Sequence, residues 1–462
     1  MTRQGRARLT RSGTVGGPLV WIVVVVGLAV STPAAADPPP HIVFVLADDL
    51  GWADVGFHGG VAPTPHLDAL ARDSLELRRH FVAPVCSPTR AGLLTGRTWS
   101  RFSVTKPQNE RALPWDTVTL PRALAEAGYE TALVGKWHLG SRPEEGPDRF
   151  GFDHAYGSLA GGVTPWSHRY KQGPWTHTWH RAGVLVEEQG HVTDLVAAEA
   201  VRWIETRDAT RPFFLYVPFT AVHLPVREPP AWLDRVPASI TDTVARHYAA
   251  SIMHLDDAVG RLRAALDRRG LRDRTLVVFT SDNGGSTAEN NDPTYPDDGC
   301  PAGRLPGDNR PLRGQKGQLY DGGTRVPTLV SWPGRIAPGV SDVPVSIVDW
   351  MPTFCGLAGM RHRDLRWDGI NLGELLLAGT PLAERPIYAV GTGGRDRSLR
   401  LGDWKLIVTG DLDAPRRVEL FDTTADEGET IDRAAAEPER VATLLARMRE
   451  LGHGDGESRV VH

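Results

Sequence analysis

Two pairs of adjacent oxygen-bearing side chains, Asp48-Asp49 and Asp282-Asn283, each follow an apolar run, HIVFVLA and TLVVFTS. Neighbouring carboxylates repel unless a cation neutralises them, and side chains of this kind suit a hard divalent ion. Either pair alone is equally what caps a helix or closes a turn; the two together, at strand ends, favour the cation. The other reactive side chains are scattered. Cys86 opens the stretch Cys86-Ser87-Pro88-Thr89-Arg90 and, read alone, is a buried thiol or half a disulfide. Arg90, four residues on, shares a side of any helix that begins at Cys86. In GKWHLG, Lys136 and His138 alternate at a strand end and point one way, leaving Trp137 to pack into the wall. Isolated, such a Lys-x-His is a solvated edge. His223 in PFTAVHLP and Lys316 in LRGQKGQLYDGG read alone as a core histidine and a loop lysine, although the glycines around Lys316 permit close backbone approach.

These residues need a scaffold that gathers them. HIVFVLA reads as a fully buried strand, as do TALVGKW, PFFLYVPF (Pro212 to Phe219) and TLVVFTS, and each runs into a polar loop. Helical periodicity marks PHLDALARDS, TLPRALAEAGY up to Gly128, and Ala245 to Arg269, where Tyr248, Ile252, Leu255, Val259, Leu262 and Leu266 share a face. Strands alternating with helices imply a largely parallel sheet covered on both sides, with ligands at the carboxyl ends of its strands. After Pro381 the pattern changes: RPIYAV, RSLRLGDWKLIV and RVELFDT read as short antiparallel strands, followed by a helix through PERVATLLARMRELG.

The segments VAPVCSPTRAGLLTGR, HIVFVLADDLGWADVGF and VVFTSDNGG closely resemble type I sulfatases, and the resemblance extends over about residues 41–430 toward the branch containing arylsulfatase B. Cysteine, then proline two residues on and arginine four on, is the pattern that a formylglycine-generating enzyme reads in that family; Thr89 stands where serine is usual, with its hydroxyl retained. The resemblance implies an α/β fold of the alkaline phosphatase-like kind, a sandwich with a large mixed, mostly parallel sheet between helices, plus a smaller C-terminal α+β domain. It implies oxidation of Cys86 to formylglycine and one divalent cation, Ca2+, held by Asp48, Asp49, Asp282, Asn283 and the modified Cys86. By the same resemblance Arg90 holds the aldehyde hydrate, Lys136 and Lys316 bind sulfate, His223 protonates the leaving oxygen, and His138 takes a proton from the hydrate's second hydroxyl. The implied partners are a sulfated small molecule or glycan as substrate and the formylglycine-generating enzyme during maturation.

The remainder bounds the reading. A net charge of −4 over 462 residues gives no ground for nucleic-acid binding. Arginines at 3, 6, 8 and 11 precede an apolar stretch from Leu19 to Val30 and small residues at Ala34 and Ala36, the pattern of an export signal over residues 1–36. A secreted or periplasmic protein is therefore expected, without stable membrane insertion after cleavage, with a catalytic domain at 37–380 and a small domain at 381–462. With Cys86 modified, Cys300 and Cys355 either pair or Cys355 is a buried thiol. The aromatic and histidine cluster Trp166, His168, Tyr170, Trp175, His177, Trp179 and His180 offers sugar-stacking faces or a loop packed on itself, and Arg304 or Arg310 could meet further anionic groups. Two other functions compete with sulfate-ester hydrolysis: a phosphonate or phosphate-ester hydrolase of the same superfamily, and a non-catalytic protein that binds sulfated glycans.

Overall fold

His41–Ala47 is a strand without an exposed residue, paired in parallel with Thr275–Ser281 on one side and Phe213–Pro218 on the other. Its last residues set the registers Ala47 to Ser281 and Leu46 to Pro218, so that three polar loops open at one edge. This is the centre of a computed structural model that describes residues 38–360 and 365–460, with Gly13, Gly16 and Gly17. Apart from those glycines, the expected export signal lies outside the described residues. Among the described residues no helix is long and apolar enough to cross a membrane.

The large sheet has ten strands. Glu130–Lys136 and His154–Ser158 continue the parallel set beyond Phe213–Pro218. At the margins Leu329–Ser331 runs antiparallel to Thr275–Ser281, and Trp179–Arg181 antiparallel to His154–Ser158. The sheet is thus mixed and mostly parallel, as expected. Side chains of the central strand alternate between two cores. Val43, Val45 and Ala47 meet the helices Val192–Thr206 and Thr243–Arg268, whereas Ile42, Phe44 and Leu46 meet Cys86–Thr95, Leu120–Glu126 and Trp350–Leu357. Burying each such side chain contributes roughly 1.5–3 kcal/mol, which is why an unbroken apolar run becomes a central strand. Thr243–Arg268 starts two residues before the expected Ala245 because the Asp242 carboxylate caps it, accepting from Ala245 N at 2.8 Å.

Four antiparallel strands, Ile387–Val390, Arg397–Leu401, Trp404–Gly410 and Pro415–Asp422, form the C-terminal sheet. RSLRLGDWKLIV is a hairpin that turns at Gly402-Asp403. The helix Pro438–Gly452 covers this sheet through Leu444 and Met448, against Leu399, Leu406 and Leu420. Buried charges fasten it to the chain beyond Lys316: Arg400 donates to Asp321 at 2.7 Å, and Lys405 donates to Asp321 at 2.6 Å and to Glu429 at 2.7 Å. Cys86, Cys300 and Cys355 are all free, and of the two alternatives Cys355 is the buried thiol, in the helix Trp350–Leu357.

Candidate active site

The open ends of the parallel strands bring the predicted residues together. Asp48 and Asp49 continue the central strand, and Asp282 and Asn283 continue Thr275–Ser281; all four are buried. Asp49 has a left-handed backbone, with φ 62°, rare outside glycine and frequent at functional sites. Its amide donates to Asp282 Oδ1 at 3.3 Å, and Asn283 Nδ2 donates to Asp49 Oδ1 at 2.8 Å. Leu50 N donates to Ser281 Oγ at 3.0 Å, clamping the two strand ends.

Cys86 is the first residue of a ten-residue helix that is buried throughout. Its Sγ lies 3.2 Å from His138 Nδ1. One turn on, Arg90 donates to Asp282 Oδ2 through Nη2 at 2.8 Å and Nε at 3.2 Å, and to the Lys136 carbonyl at 2.6 Å. Lys136 Nζ donates to Asp48 Oδ2, and Lys316 Nζ to Asp49 Oδ2 at 2.7 Å. His223 Nδ1 donates to its neighbour's carbonyl, Leu224 O, and its Nε2 is 3.9 Å from Asp49 Oδ2. Lys136 and His138 do converge, but not by strand alternation: the strand ends at Lys136, and His138 reaches the site through a left-handed turn at φ 60°. The Lys316 side chain is 19% exposed and that of Asp48 0%, so the site opens toward Lys316.

Three carboxylates, Asp48, Asp49 and Asp282, face three cations, Arg90, Lys136 and Lys316. Burial and the Asp282 charge push the Asp48 carboxyl up to about 7, against Lys136. At Asp49 burial acts the same way, but Lys316 and His223 outweigh it and bring the group to about 2. Burial, helped by Lys136 and Arg90, keeps His138 neutral, while at His223 burial and Lys316 lower the ring's basicity and the Asp49 carboxylate opposes them. Burial also raises the Cys86 thiol despite Lys136 and Lys316, so an unmodified thiol there is protonated near neutrality and a weak nucleophile. The donor set fits a hard cation. Asp48 Oδ1 and Asn283 Oδ1 are buried acceptors without a hydrogen-bond partner, and the Asn283 amide orientation is fixed by its donations to Asp49 and Gly284. A divalent ion there would leave the site with an excess positive charge suited to an anionic ester.

Several contributors escaped the sequence reading. Thr89 donates to the Asp282 carbonyl at 2.6 Å and accepts from Ala83 N at 2.9 Å, tying the cysteine helix to the far strand. Ser87 Oγ donates to the His138 carbonyl at 2.9 Å. Gly161 and Gly162 let the histidines approach: a side chain at 161 would run into His138 Nε2, and a Cβ at 162 would lie 3.0 Å from Tyr295 Oη and 3.1 Å from His223 Nδ1. A Gly-Gly pair after a strand was the available signal. Much of the aromatic cluster is packed on itself. His168 stacks on Trp179 at 4.8 Å, and His168, Trp179 and His180 are buried. Arg310 is bound by Asp308 at 2.6 Å, and Arg304 lies 3.8 Å from Glu289.

A second buried group, His191, Glu228 and His254, has the composition of a metal site. Its protons argue otherwise. Thr193 N donates to His191 Nδ1 at 3.3 Å, which places that ring's proton on Nε2, facing Arg227 O at 3.2 Å. His254 faces Glu228 at 2.8 Å and Asp194 at 3.3 Å, and these carboxylates hold it charged, leaving neither ring a free lone pair for an ion.

The sulfatase family model matches residues 40–360. Arylsulfatase J of Mus musculus is 32% identical over 90% of this chain and 76% of its own length. N-acetylgalactosamine-6-sulfatase of Mus musculus is 33% identical over 85% of this chain and 76% of its own length. Among solved structures, that of Ps i-CgsB in complex with k-i-k-neocarrahexaose superposes with a TM-score of 0.79 at 29% identity, covering 90% of this chain and 93% of that one.

Proposed function

Given that this chain belongs to the sulfatase family and is a sulfuric ester hydrolase of the alkaline phosphatase-like fold, we propose that it cleaves sulfate esters of carbohydrates with Cys86, oxidised to formylglycine, as its nucleophile. The observation that carries this reading is the position of residue 86: at the first turn of a buried helix, 3.2 Å from His138 Nδ1, with the buried cations Arg90 and Lys136 and the partly exposed Lys316 in the same site. As a thiol in that setting it is inert. As a hydrated aldehyde it supplies one hydroxyl to attack sulfur and a second whose deprotonation releases sulfate, a release that serine or cysteine lacks.

Asp48, Asp49, Asp282 and Asn283, with residue 86, would hold the divalent cation, calcium by family resemblance. That ion supplies positive charge that favours an ionised hydroxyl at residue 86 and draws in the sulfate group. The protein's side chains do the rest. Arg90 holds Asp282 in place and stays charged in the interior. Lys136 and Lys316 neutralise charge that builds on the sulfuryl oxygens. His223, with Nδ1–H donated to Leu224 O, carries a proton from Nε2 to the leaving oxygen as the imidazolium, the form that the Asp49 carboxylate 3.9 Å away favours. His138, kept neutral, turns Nδ1 toward residue 86 and accepts its proton.

Carbohydrate is favoured over a simple aryl ester because the family member solved with neocarrahexaose shares this chain's fold over most of its length. The arginines and the apolar stretch before Asp37 support export to a secreted or periplasmic location, and the motif Cys86-Ser87-Pro88-Thr89-Arg90 supports maturation by a formylglycine-generating enzyme. Its catalytic region is 37–380 and its small C-terminal region 381–462. The test is the mass of the Cys86 peptide from protein made with a competent maturation enzyme, together with turnover of 4-nitrophenyl sulfate against 4-nitrophenyl phosphate. An aldehyde at residue 86 and preferred sulfate turnover are expected. An intact thiol, or preference for the phosphate, overturns the mechanism.

A further inference from the structure

Away from the strand ends, a cavity of about 700 Å³ lies on the C-terminal sheet, lined by Arg395, Arg397, Arg416 and Arg449 with Asp411 and Asp413. Two of the arginines are already engaged. Arg397 is 3.3 Å from Asp455, and Arg449 is 3.4 Å from Asp413. Asp411 accepts from Asp413 N at 3.0 Å. Arg395 and Arg416 are exposed and have no ionic partner among the described residues. A concave surface carrying unpaired guanidinium groups is built for anions that bring their own charge, such as sulfate or carboxylate groups.

One loop of the cavity's rim reaches the chain beside the candidate active site. Residues 391–396 link two strands of the C-terminal sheet, and Thr392 Oγ1 donates to Gly317 O at 3.3 Å, one residue from Lys316. From the same loop Gly393 N donates to Thr105 O at 2.9 Å, next to the exposed Lys106. Three residues from Thr392 to Arg395 span at most about 11 Å, so the first unpaired arginine stands a short step from the rim of the site. Lys316 and Lys106 thus stand beside residues that this loop contacts, and Arg395 and Arg416 line the cavity beyond it, a cationic path outward from the site.

We propose that this path and cavity bind the distal, anionic part of a sulfated oligosaccharide whose scissile ester sits at residue 86. The role at the catalytic centre rests on the sulfatase reading above; the cavity's preference for anions does not. The substrate class is thereby narrowed to an extended chain carrying further sulfate or carboxylate groups.

The experiment compares full-length mature protein with the double variant Arg395→Ala, Arg416→Ala. A heparin hexasaccharide serves as the sulfated probe, its affinity measured by calorimetry and by inhibition of 4-nitrophenyl sulfate turnover. Expected is binding about tenfold weaker in the variant, the scale of two lost exposed charge contacts, with less salt dependence. Turnover of 4-nitrophenyl sulfate itself should stay within about twofold, since neither arginine touches the catalytic set. Unchanged hexasaccharide affinity overturns the proposal, as does an equal loss of aryl sulfate turnover. So does duplex DNA that binds as well as the hexasaccharide and is weakened equally, which would make the cavity a general polyanion surface. A wild-type protein that never hydrolyses aryl sulfate but binds the hexasaccharide, with that binding lost in the variant, would uphold the cavity and sink the sulfatase reading instead.

Discussion

His223 is the residue whose role has two physical readings. With Asp48 and Asp49 it forms a group whose ligating atoms lie within 4.8 Å of one another, as a cation ligand would. Yet its Nδ1 is tied to Leu224 O, and its Nε2 is 3.9 Å from Asp49, on a side chain that is only partly buried. A general acid matters in proportion to how badly the leaving group needs a proton. His223→Gln should therefore slow hydrolysis of a sugar sulfate by about 10²–10⁴-fold, and that of 4-nitrophenyl sulfate much less. Plotting rate against leaving-group pKa checks this: a steeper dependence in the variant marks the acid, whereas a uniform loss across leaving groups marks a ligand. At this scale the sequence was legible wherever a motif kept its residues adjacent, as around Cys86 and Asp282. The Gly161-Gly162 approach was less so, because its meaning lies in close contacts with His138 and His223.

At the scale of elements, most of the candidate catalytic side chains follow a strand or lie on the helix Cys86–Thr95, with Lys316 on the loop before Asp321, and the apolar runs announced the strands well. The helix over Thr243–Arg268 buries the predicted face of Tyr248, Ile252, Leu255, Val259, Leu262 and Leu266. Periodicity could not announce His254 on the same helix, since its partners come from Val192–Thr206 and from the segment around Glu228. Burial disfavours its charge, but hydrogen bonds to Asp194 and Glu228 outweigh burial and raise it to about 9. Because the folded value lies above the unfolded value near 6.5, this contribution is fully present below pH 6.5 and is lost as pH rises through 9. It amounts to at most about 3 kcal/mol, and to less because Asp194 is half exposed. Denaturant unfolding should show stability falling between pH 6.5 and 9.5 in the wild type and a flatter profile in His254→Gln. Parallel profiles would remove His254 as the cause.

For the whole molecule, the parallel sheet with helices on both faces was readable because buried strands and amphipathic helices alternate along the chain. Its antiparallel margins were not, since Leu75–Leu77 and Leu329–Ser331 are too short to show a period. The same architecture draws residues from 48 to 316 into one charged site, with carboxylates and cations in balance and two buried oxygens still lacking a partner. Those oxygens meet only in the folded chain, so an ion they bind stabilises the native state alone. At a concentration one hundred times its dissociation constant such an ion contributes about 2.7 kcal/mol. In a protein of this size, that is a rise of a few degrees in Tm. Calcium added to chelator-treated protein should raise Tm by that amount, independently of any turnover. The rise should vanish in Asp49→Asn, which removes a charge from the cluster while keeping its shape. A wild type whose Tm ignores calcium would sink the cation assignment. A shift preserved in Asp49→Asn would place the ion elsewhere.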